Sequence, residues 1–177
     1  MRLSVRKAAY DGLLCKGHKA PIDRCIYAAF GSKEQLYSEA LECYSKEMSN
    51  ILNRHITEQG SPLMGLEAFF RNVVIDQRDS NPSEVCMLVK TLSEVNEQHP
   101  DLLGLARELL KRAENRFTEI LLQAKEQGEI LEAADPGILT KHLQVQMIGL
   151  RIYMKTSGNS QAVSELINSV FKAISIK

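Results

Sequence analysis

The chain has 177 residues, of which 44% are hydrophobic and 25% charged, a composition typical of a globular protein with a substantial apolar core rather than a disordered one. Basic and acidic side chains each number 22, so the formal net charge is zero and no global attraction to a polyanion is expected. The four cysteines form no C-x-x-C pair, no apolar run reaches the roughly 20 residues of a membrane-spanning helix and no leader is recognisable, so we expect a cytoplasmic protein with no membrane partner.

The N-terminal segment carries a local excess of positive charge. Within residues 1–24, six basic side chains are accompanied by only two acidic ones, Asp11 and Asp23. The basic residues are Arg2, Arg6, Lys7, Lys16, Lys19 and Arg24. Such a segment suits a polyanionic partner such as DNA, although short basic stretches also occur on ordinary solvated faces.

From residue 33 onward, apolar residues recur at spacings of three and four, which predicts helices. Ser32 can cap the first helix and Gln35 completes a capping-box pattern, so this helix is expected over about 33–56. The segment 60–62 (Gly-Ser-Pro) interrupts the pattern. The apolar spacing over 63–74 then predicts a second amphipathic helix.

Two proline-containing segments mark the next helix starts. Asn81 as a cap and Pro82 in the first turn predict a helix that continues to about Val95. The segment 99–101 (His-Pro-Asp) precedes the most regular apolar stripe of the chain, which Gly128 is placed to end.

The last two predicted helices complete an all-α helical bundle with short loops. A helix of about twenty residues begins at Asp135-Pro136, and its apolar positions spread around more than one face, so it requires two packing partners. After Gly158, a closing helix carries apolar residues at helical spacing. The alternative for these apolar faces is that they close the core of a monomer.

The segment 26–37, Ile-Tyr-Ala-Ala-Phe-Gly-Ser-Lys-Glu-Gln-Leu-Tyr, closely resembles the end of the DNA-recognition helix and the start of the next helix in TetR-type regulators. Further segments resemble the C-terminal domain of one branch of these regulators, at 84–89, 99–101, 127–130 and 134–136. The resemblance implies a helix-turn-helix-like DNA-binding head at 1–45 and a ligand-binding and dimerisation domain at 46–177. It also implies a ligand-responsive repressor that binds double-stranded operator DNA as a homodimer.

The resemblance assigns roles to individual residues. By this resemblance, Tyr27 and Lys33 would contact DNA phosphates. From the local excess of positive charge, Arg24 and Lys19 are further candidates for DNA contact. In the structural alternative, Tyr27 belongs to the core and Lys33 to solvent.

The family also implies a ligand cavity and a dimer interface. A small apolar effector would contact the cavity residues Met48, Phe69, Phe70, Val73, Met87 and Leu88. The alternative is that these residues are ordinary core. The last two helices would form a four-helix interface with a second subunit through Met147, Leu150, Tyr153, Leu166, Val170 and Phe171.

One departure from the family pattern concerns the head. Only residues 18–26 separate Gly17, which matches the end of the first family helix, from Tyr27, and this span is short by roughly one helix. An internal deletion, a damaged or engineered gene, and residues missing from this sequence all explain the gap. The alternative function is therefore an effector-binding and dimerisation module that has lost DNA binding.

No pattern of residues indicates catalysis or a cofactor. The four histidines and four cysteines show no metal-ligand spacing, so no metal site is expected. Glycine-rich phosphate loops, nucleophile elbows and Cys-His arrangements are not recognisable. We therefore do not expect an enzyme, and a helical enzyme or carrier remains the third alternative.

Overall fold

The computed structural model describes residues 30–76 and 86–175, and these residues fold into six helices. The helices are α1 (Lys33–Gln59), α2 (Pro62–Val74), α3 (Met87–Glu94), α4 (Pro100–Glu126), α5 (Pro136–Ser157) and α6 (Ser160–Ile174). Outside them, one isolated antiparallel β-bridge joins Ile130 to Ser175. The predicted all-α class is confirmed.

Short-range capping bonds fix where four of these helices begin. The side chains of Ser32, Ser61, Asp135 and Asn159 each accept a hydrogen bond from a backbone N–H two or three residues later, at 2.8–3.2 Å. These bonds satisfy N–H groups that have no partner inside the first turn. The helix starts predicted at Ser32 and Asp135 are therefore confirmed.

Helix α3 differs from the prediction. The expected start at Asn81 and Pro82 lies outside the described residues, and Cys86 has an extended backbone with φ −52° and ψ 124°. A ψ in this range cannot continue a helix, so α3 begins only at Met87. The apolar periodicity from Val85 to Val95 gives no indication of the non-helical backbone at Cys86.

The apolar core consists of two clusters, both in contact with Met48. The larger cluster joins α2 to the second half of α1, the second half of α4, and helices α5 and α6. The smaller one joins α3 to the first halves of α1 and α4. Helix α1 is therefore shared by both clusters along its length.

Candidate functional site

A cavity of about 420 Å³ lies among helices α1 to α5. Its volume falls within the range of small-molecule sites in proteins. Its apolar wall is formed by Met48, Leu52, Phe69, Val73, Leu88, Leu110, Phe117, Met147 and Ile148. The rings of Phe69 and Phe117 meet edge to face, with centroids 6.1 Å apart, which holds both in place.

Helix α1 contributes one face to this wall. Tyr44, Met48 and Leu52 follow one another at spacings of four residues, and all three line the cavity. Side chains at this spacing lie on the same side of a helix. The middle of α1 therefore borders the cavity, while its first turn lies well outside it.

Helix α5 supplies the opposite wall with a stripe that includes a charged residue. Gln144, Met147, Ile148 and Arg151 line the cavity at spacings of three and four. Arg151 is only 8% exposed, and its Nη1 donates a hydrogen bond to the hydroxyl of Tyr44 at 3.1 Å. A buried hydrogen bond between side chains 107 residues apart thus joins α1 to α5 at the cavity wall.

Tyr44 is a neutral partner in this bond. Burial, with a further contribution from the neighbouring Cys86 thiol, raises the pKa of Tyr44 to about 12, and the Arg151 guanidinium opposes the rise only in part. The phenol therefore remains protonated at physiological pH. Cys86, which also lines the cavity, is a free cysteine of intermediate exposure.

The remaining charged groups of the lining lie on α4. Lys111 pairs with Glu114 at 2.8 Å, and Arg116 pairs with Glu119 at 2.9 Å. The side chain of Arg107 is exposed and forms no ion pair or hydrogen bond within residues 30–76 and 86–175. Four basic side chains and one acidic side chain thus line the cavity.

Four of the six residues predicted to form the ligand pocket line this cavity: Met48, Phe69, Val73 and Leu88. The other two do not. Phe70 lies behind the wall, with its ring against Phe171, and Met87 is buried in the smaller core cluster. Helical neighbours point about 100° apart, and here the ring of Phe70 is directed toward Phe171 and away from the cavity.

The prediction from sequence missed the polar side of the cavity. The helical spacing of apolar residues over 33–56 includes Tyr44 and predicts an apolar role for it, and none of the sites predicted from the sequence includes Arg151. One signal was available: Arg151 interrupts the apolar stretch from Met147 to Tyr153. A charge in such a position is buried only when it has partners or a function.

Only one of the predicted DNA contacts lies in the described part of the chain. Lys33 is exposed in the first turn of α1, directly after the Ser32 cap. Tyr27, Arg24 and Lys19 lie outside the described residues. The DNA-binding role of all four residues stays a prediction.

The first turns of α1 are attached to the body by two polar contacts. Glu34 lies 3.2 Å from the imidazole of His99 at the start of α4. The hydroxyl of Tyr37 lies 2.9 Å from the hydroxyl of the buried Thr91 in α3. The end of α1 that carries Lys33 is thus coupled to the two helices that border the cavity with it.

The six predicted interface residues separate into different environments. Tyr153 and Leu166 are exposed, and Val170 is partly buried against the core. Leu150 and Phe171 are 5% and 3% exposed and leave almost no surface for a partner, because both pack inside the larger core cluster. Met147 lines the cavity instead.

Helix α5 presents a different apolar row to solvent. Ile138, Val145 and Ile152 are all exposed, and they repeat at intervals of seven residues. Residues seven apart lie almost on the same line along a helix. Beside this row lies the exposed Tyr153, and α6, which packs against α5, exposes Leu166. We call these five side chains the partner face.

The described residues contain neither a cluster of metal-ligating side chains nor a helix suited to cross a membrane. Within residues 30–76 and 86–175, no group of three or more histidine, cysteine or acidic side chains is arranged to hold a metal ion. None of the six helices combines the length and the hydropathy that a membrane crossing requires.

Comparisons with known proteins relate this arrangement to a family. Residues 62–170 match the model of the tetracyclin repressor-like, C-terminal domain. The uncharacterised HTH-type transcriptional regulator YezE of Bacillus subtilis (strain 168) is 22% identical over 144 residues, which cover 81% of this chain and 74% of that protein.

Solved structures share the fold. A TetR-family transcriptional regulator from Agrobacterium tumefaciens superposes with a TM-score of 0.73 at 14% identity, covering 97% of this chain and 99% of that one. A TetR-family regulator from Cytophaga hutchinsonii gives a TM-score of 0.73 at 15% identity, covering 99% and 94%. The fatty acid degradation regulator FadR from Bacillus halodurans gives 0.62 at 16% identity, covering 97% and 96%. Since the family model spans well over half of its length, the chain belongs to the tetracyclin repressor-like (TetR) family of transcriptional regulators.

Proposed function

We propose that the protein is a homodimeric repressor, not an enzyme, which releases operator DNA in the cytoplasm when a small effector occupies the cavity. The observation that carries this proposal is the position of α1. Its middle residues Tyr44, Met48 and Leu52 line the cavity, and its first turn carries the exposed Lys33. One continuous helix of 27 residues therefore connects the two proposed sites.

A change at the cavity can reach the first turn of α1 because the helix is a rigid element. A helix of 27 residues is about 40 Å long, so a tilt of a few degrees at Met48 displaces its end by an ångström or more. The bond between Tyr44 and Arg151 ties α1 to α5, so a ligand that alters this bond changes the position of α1. An effector can act in this way only through a difference in its affinity for the two positions.

We assign the DNA-binding head to residues 1–45 and the effector and dimerisation domain to 46–177. Helix α1 crosses residue 45 without interruption, so the two regions share a helix. Because the helix is continuous, a movement of the effector domain would also move the DNA-binding head.

The partner face supports dimerisation. Val145 is 68% exposed and Ile152 is 45% exposed on a helix whose other faces are buried or line the cavity. Exposed apolar side chains aligned along one side of a helix are common at protein interfaces. In a two-fold dimer the same face is used by both copies, which sets a fixed separation between the two heads.

DNA binding is tested with the full chain and a DNA fragment from its own promoter region, by fluorescence anisotropy at several salt concentrations. Lys33→Gln should weaken binding to all sequences alike and lower the salt dependence by about one ion, because a phosphate contact is lost. Lys46→Gln, an exposed lysine further along α1, is the matched control. Absence of any sequence preference at all salt concentrations would contradict the repressor proposal.

The oligomeric state is tested by analytical ultracentrifugation at micromolar concentration. Val145→Asp places a charge in the partner face and should convert dimers to monomers. Leu131→Asp is the control, since Leu131 is 61% exposed in the loop between α4 and α5 and outside the partner face. If the unmodified chain is monomeric, the proposed pair of DNA-binding heads does not exist. If both variants dimerise equally, the partner face is not the dimer interface.

The short spacing between Gly17 and Tyr27 favours a second function. If the head lacks a helix, the protein is an effector-binding and dimerisation module without specific DNA binding. It should then dimerise and bind a ligand while showing no preference for any DNA sequence. The anisotropy and ultracentrifugation experiments together separate the two functions.

A further inference from the structure

The cavity lining carries an excess of positive charge. The side chains of Arg107, Lys111, Arg116 and Arg151 line it together with a single carboxylate, that of Glu114. The chain as a whole has no net charge, so this excess is a local feature of the cavity. A concave site of one sign attracts ligands of the opposite sign.

These four cations differ in burial and in pairing. Lys111 and Arg116 are paired with glutamates on their own helix, and Arg107 is exposed to solvent. Arg151 is the buried one, at 8% exposure. Because a charge interaction strengthens as water is excluded, Arg151 is the position where an anionic group gains most.

The hydrogen bond from Arg151 to Tyr44 orients the guanidinium, and because the phenol is protonated this bond brings no negative charge beside it. A guanidinium matches the two oxygens of a carboxylate in one plane. The Tyr44 hydroxyl beside it is a further hydrogen-bonding group for the same carboxylate. One end of the cavity thus offers an anion-binding pair contributed by two different helices.

Much of the remaining wall is apolar, with the side chains of Met48, Phe69 and Phe117 among its members. These groups can bury a hydrocarbon chain or an aromatic ring, and methionine adapts to irregular shapes. A second anionic group in the ligand would find no second buried cation in the lining, because Arg107 is exposed and Lys111 and Arg116 are paired with glutamates, so it would gain less than the first.

From this arrangement we propose that the effector is an amphipathic monocarboxylate, with its carboxylate on Arg151 and Tyr44 and its hydrocarbon part against the apolar wall. This refines the small apolar effector expected from sequence, and it rests on the proposed function of the cavity as the effector site. The defining feature is the carboxylate: a neutral molecule of the same shape binds more weakly.

The test uses a panel of straight-chain carboxylates from butanoate to dodecanoate, together with 3-phenylpropanoate, and the alcohol that corresponds to each acid. Binding to the full chain is measured by isothermal titration calorimetry. At least one carboxylate should bind about tenfold or more tightly than its alcohol, the factor expected for a charge-assisted hydrogen bond. If every alcohol binds as well as its acid, or no acid binds, the proposal is overturned.

Variants locate the carboxylate. Arg151→Gln should weaken binding of the carboxylate by about tenfold or more while leaving the affinity for the alcohol within about threefold. Arg151→Lys, which keeps the charge, should retain part of the affinity. Arg54→Gln removes an exposed positive charge of α1 outside the cavity and should bind like the unmodified chain. Equal losses for acid and alcohol in Arg151→Gln would indicate only a distorted cavity and would contradict the assignment.

The experiment separates this inference from the proposed function. Binding of a carboxylate through Arg151 without release of DNA would leave the ligand class standing and refute the effector role. Release of DNA by a neutral ligand, with no carboxylate bound through Arg151, would support the effector role of the cavity and refute the carboxylate as ligand class. Both readouts are taken on the same protein, the first by calorimetry and the second by anisotropy.

Discussion

The contact between α1 and α2 offers a quantitative test of the packing that positions the cavity. A Cβ added to Gly65 in α2 would lie 2.7 Å from the Ile56 Cα and 3.1 Å from the His55 carbonyl oxygen in α1. Ordinary carbon contacts are about 3.5 to 4.0 Å, so Gly65→Ala must push the helices apart by roughly 1 Å. Backbone atoms cannot move aside as a side chain can.

Gly104→Ala is the matched control, because a Cβ at Gly104 in α4 meets no atom within 4 Å. Both substitutions gain about 1 kcal/mol from helix propensity, so the difference between them isolates the cost of the close contact. Overpacking typically costs about 1 to 3 kcal/mol, which makes Gly65→Ala less stable than Gly104→Ala by that amount. In a protein of this size, the same difference lowers Tm by about 2 to 12 °C.

The assay is urea unfolding followed by circular dichroism, with all variants at the same protein concentration because dimerisation affects apparent stability. Gly104→Ala should be more stable than the unmodified chain. If Gly65→Ala were as stable as Gly104→Ala, α1 and α2 would not approach as closely as described. The position of α1 beside the cavity would then need revision as well.

Two further predictions concern one buried and one partly buried polar group. Because burial raises the pKa of Tyr44 from 10 to about 12, the folded state holds a proton that the unfolded chain has lost, and stability should fall by up to ~3 kcal/mol between pH 10 and 12. Tyr44→Phe should remove this part of the alkaline loss, whereas Tyr153→Phe, at an exposed position, should not. Arg71→Met should cost about 1 to 3 kcal/mol and speed hydrogen exchange in α6, because Arg71 donates to Ser164 of α6 at 2.7 Å. As a control, Arg112→Met removes an exposed ion pair between Arg112 and Glu108 within α4. It should cost less than about 0.5 kcal/mol in the same urea assay.

Local signals in the sequence were enough to predict most of the helices. Ser32 and Asp135 act through bonds to backbone groups only two or three residues away, so their effect is visible in a short stretch of sequence. The φ of 67° at Gly128 is equally local. By contrast, the extended backbone of Cys86 delays α3, and nothing in the neighbouring apolar pattern requires it.

The candidate site was predicted less completely, because periodicity identifies an apolar face but not what the face contacts. Phe69 and Phe70 follow each other in one apolar stripe, yet Phe69 lines the cavity and Phe70 packs on Phe171. Arg151 and Tyr44 lie 107 residues apart, so their pairing depends on the packing of whole helices. Such a pair cannot be found from spacing along the chain.

The sequence predicts that α5 has apolar residues on more than one face, but it does not predict what each face contacts. Leu143 and Leu150 face the core, the stripe from Gln144 to Arg151 faces the cavity, and Val145 belongs to the exposed partner face. A single helix therefore contacts the core, the cavity and solvent, and residues adjacent in sequence lie in different ones of these three environments. In the proposed assembly, effector and second subunit contact the same helix on adjoining faces, since Ile148 of the cavity and Ile152 of the partner face are only four residues apart. A rotation of α5 that improves one contact necessarily changes the other, which gives the effector a direct physical route to the spacing of the two heads.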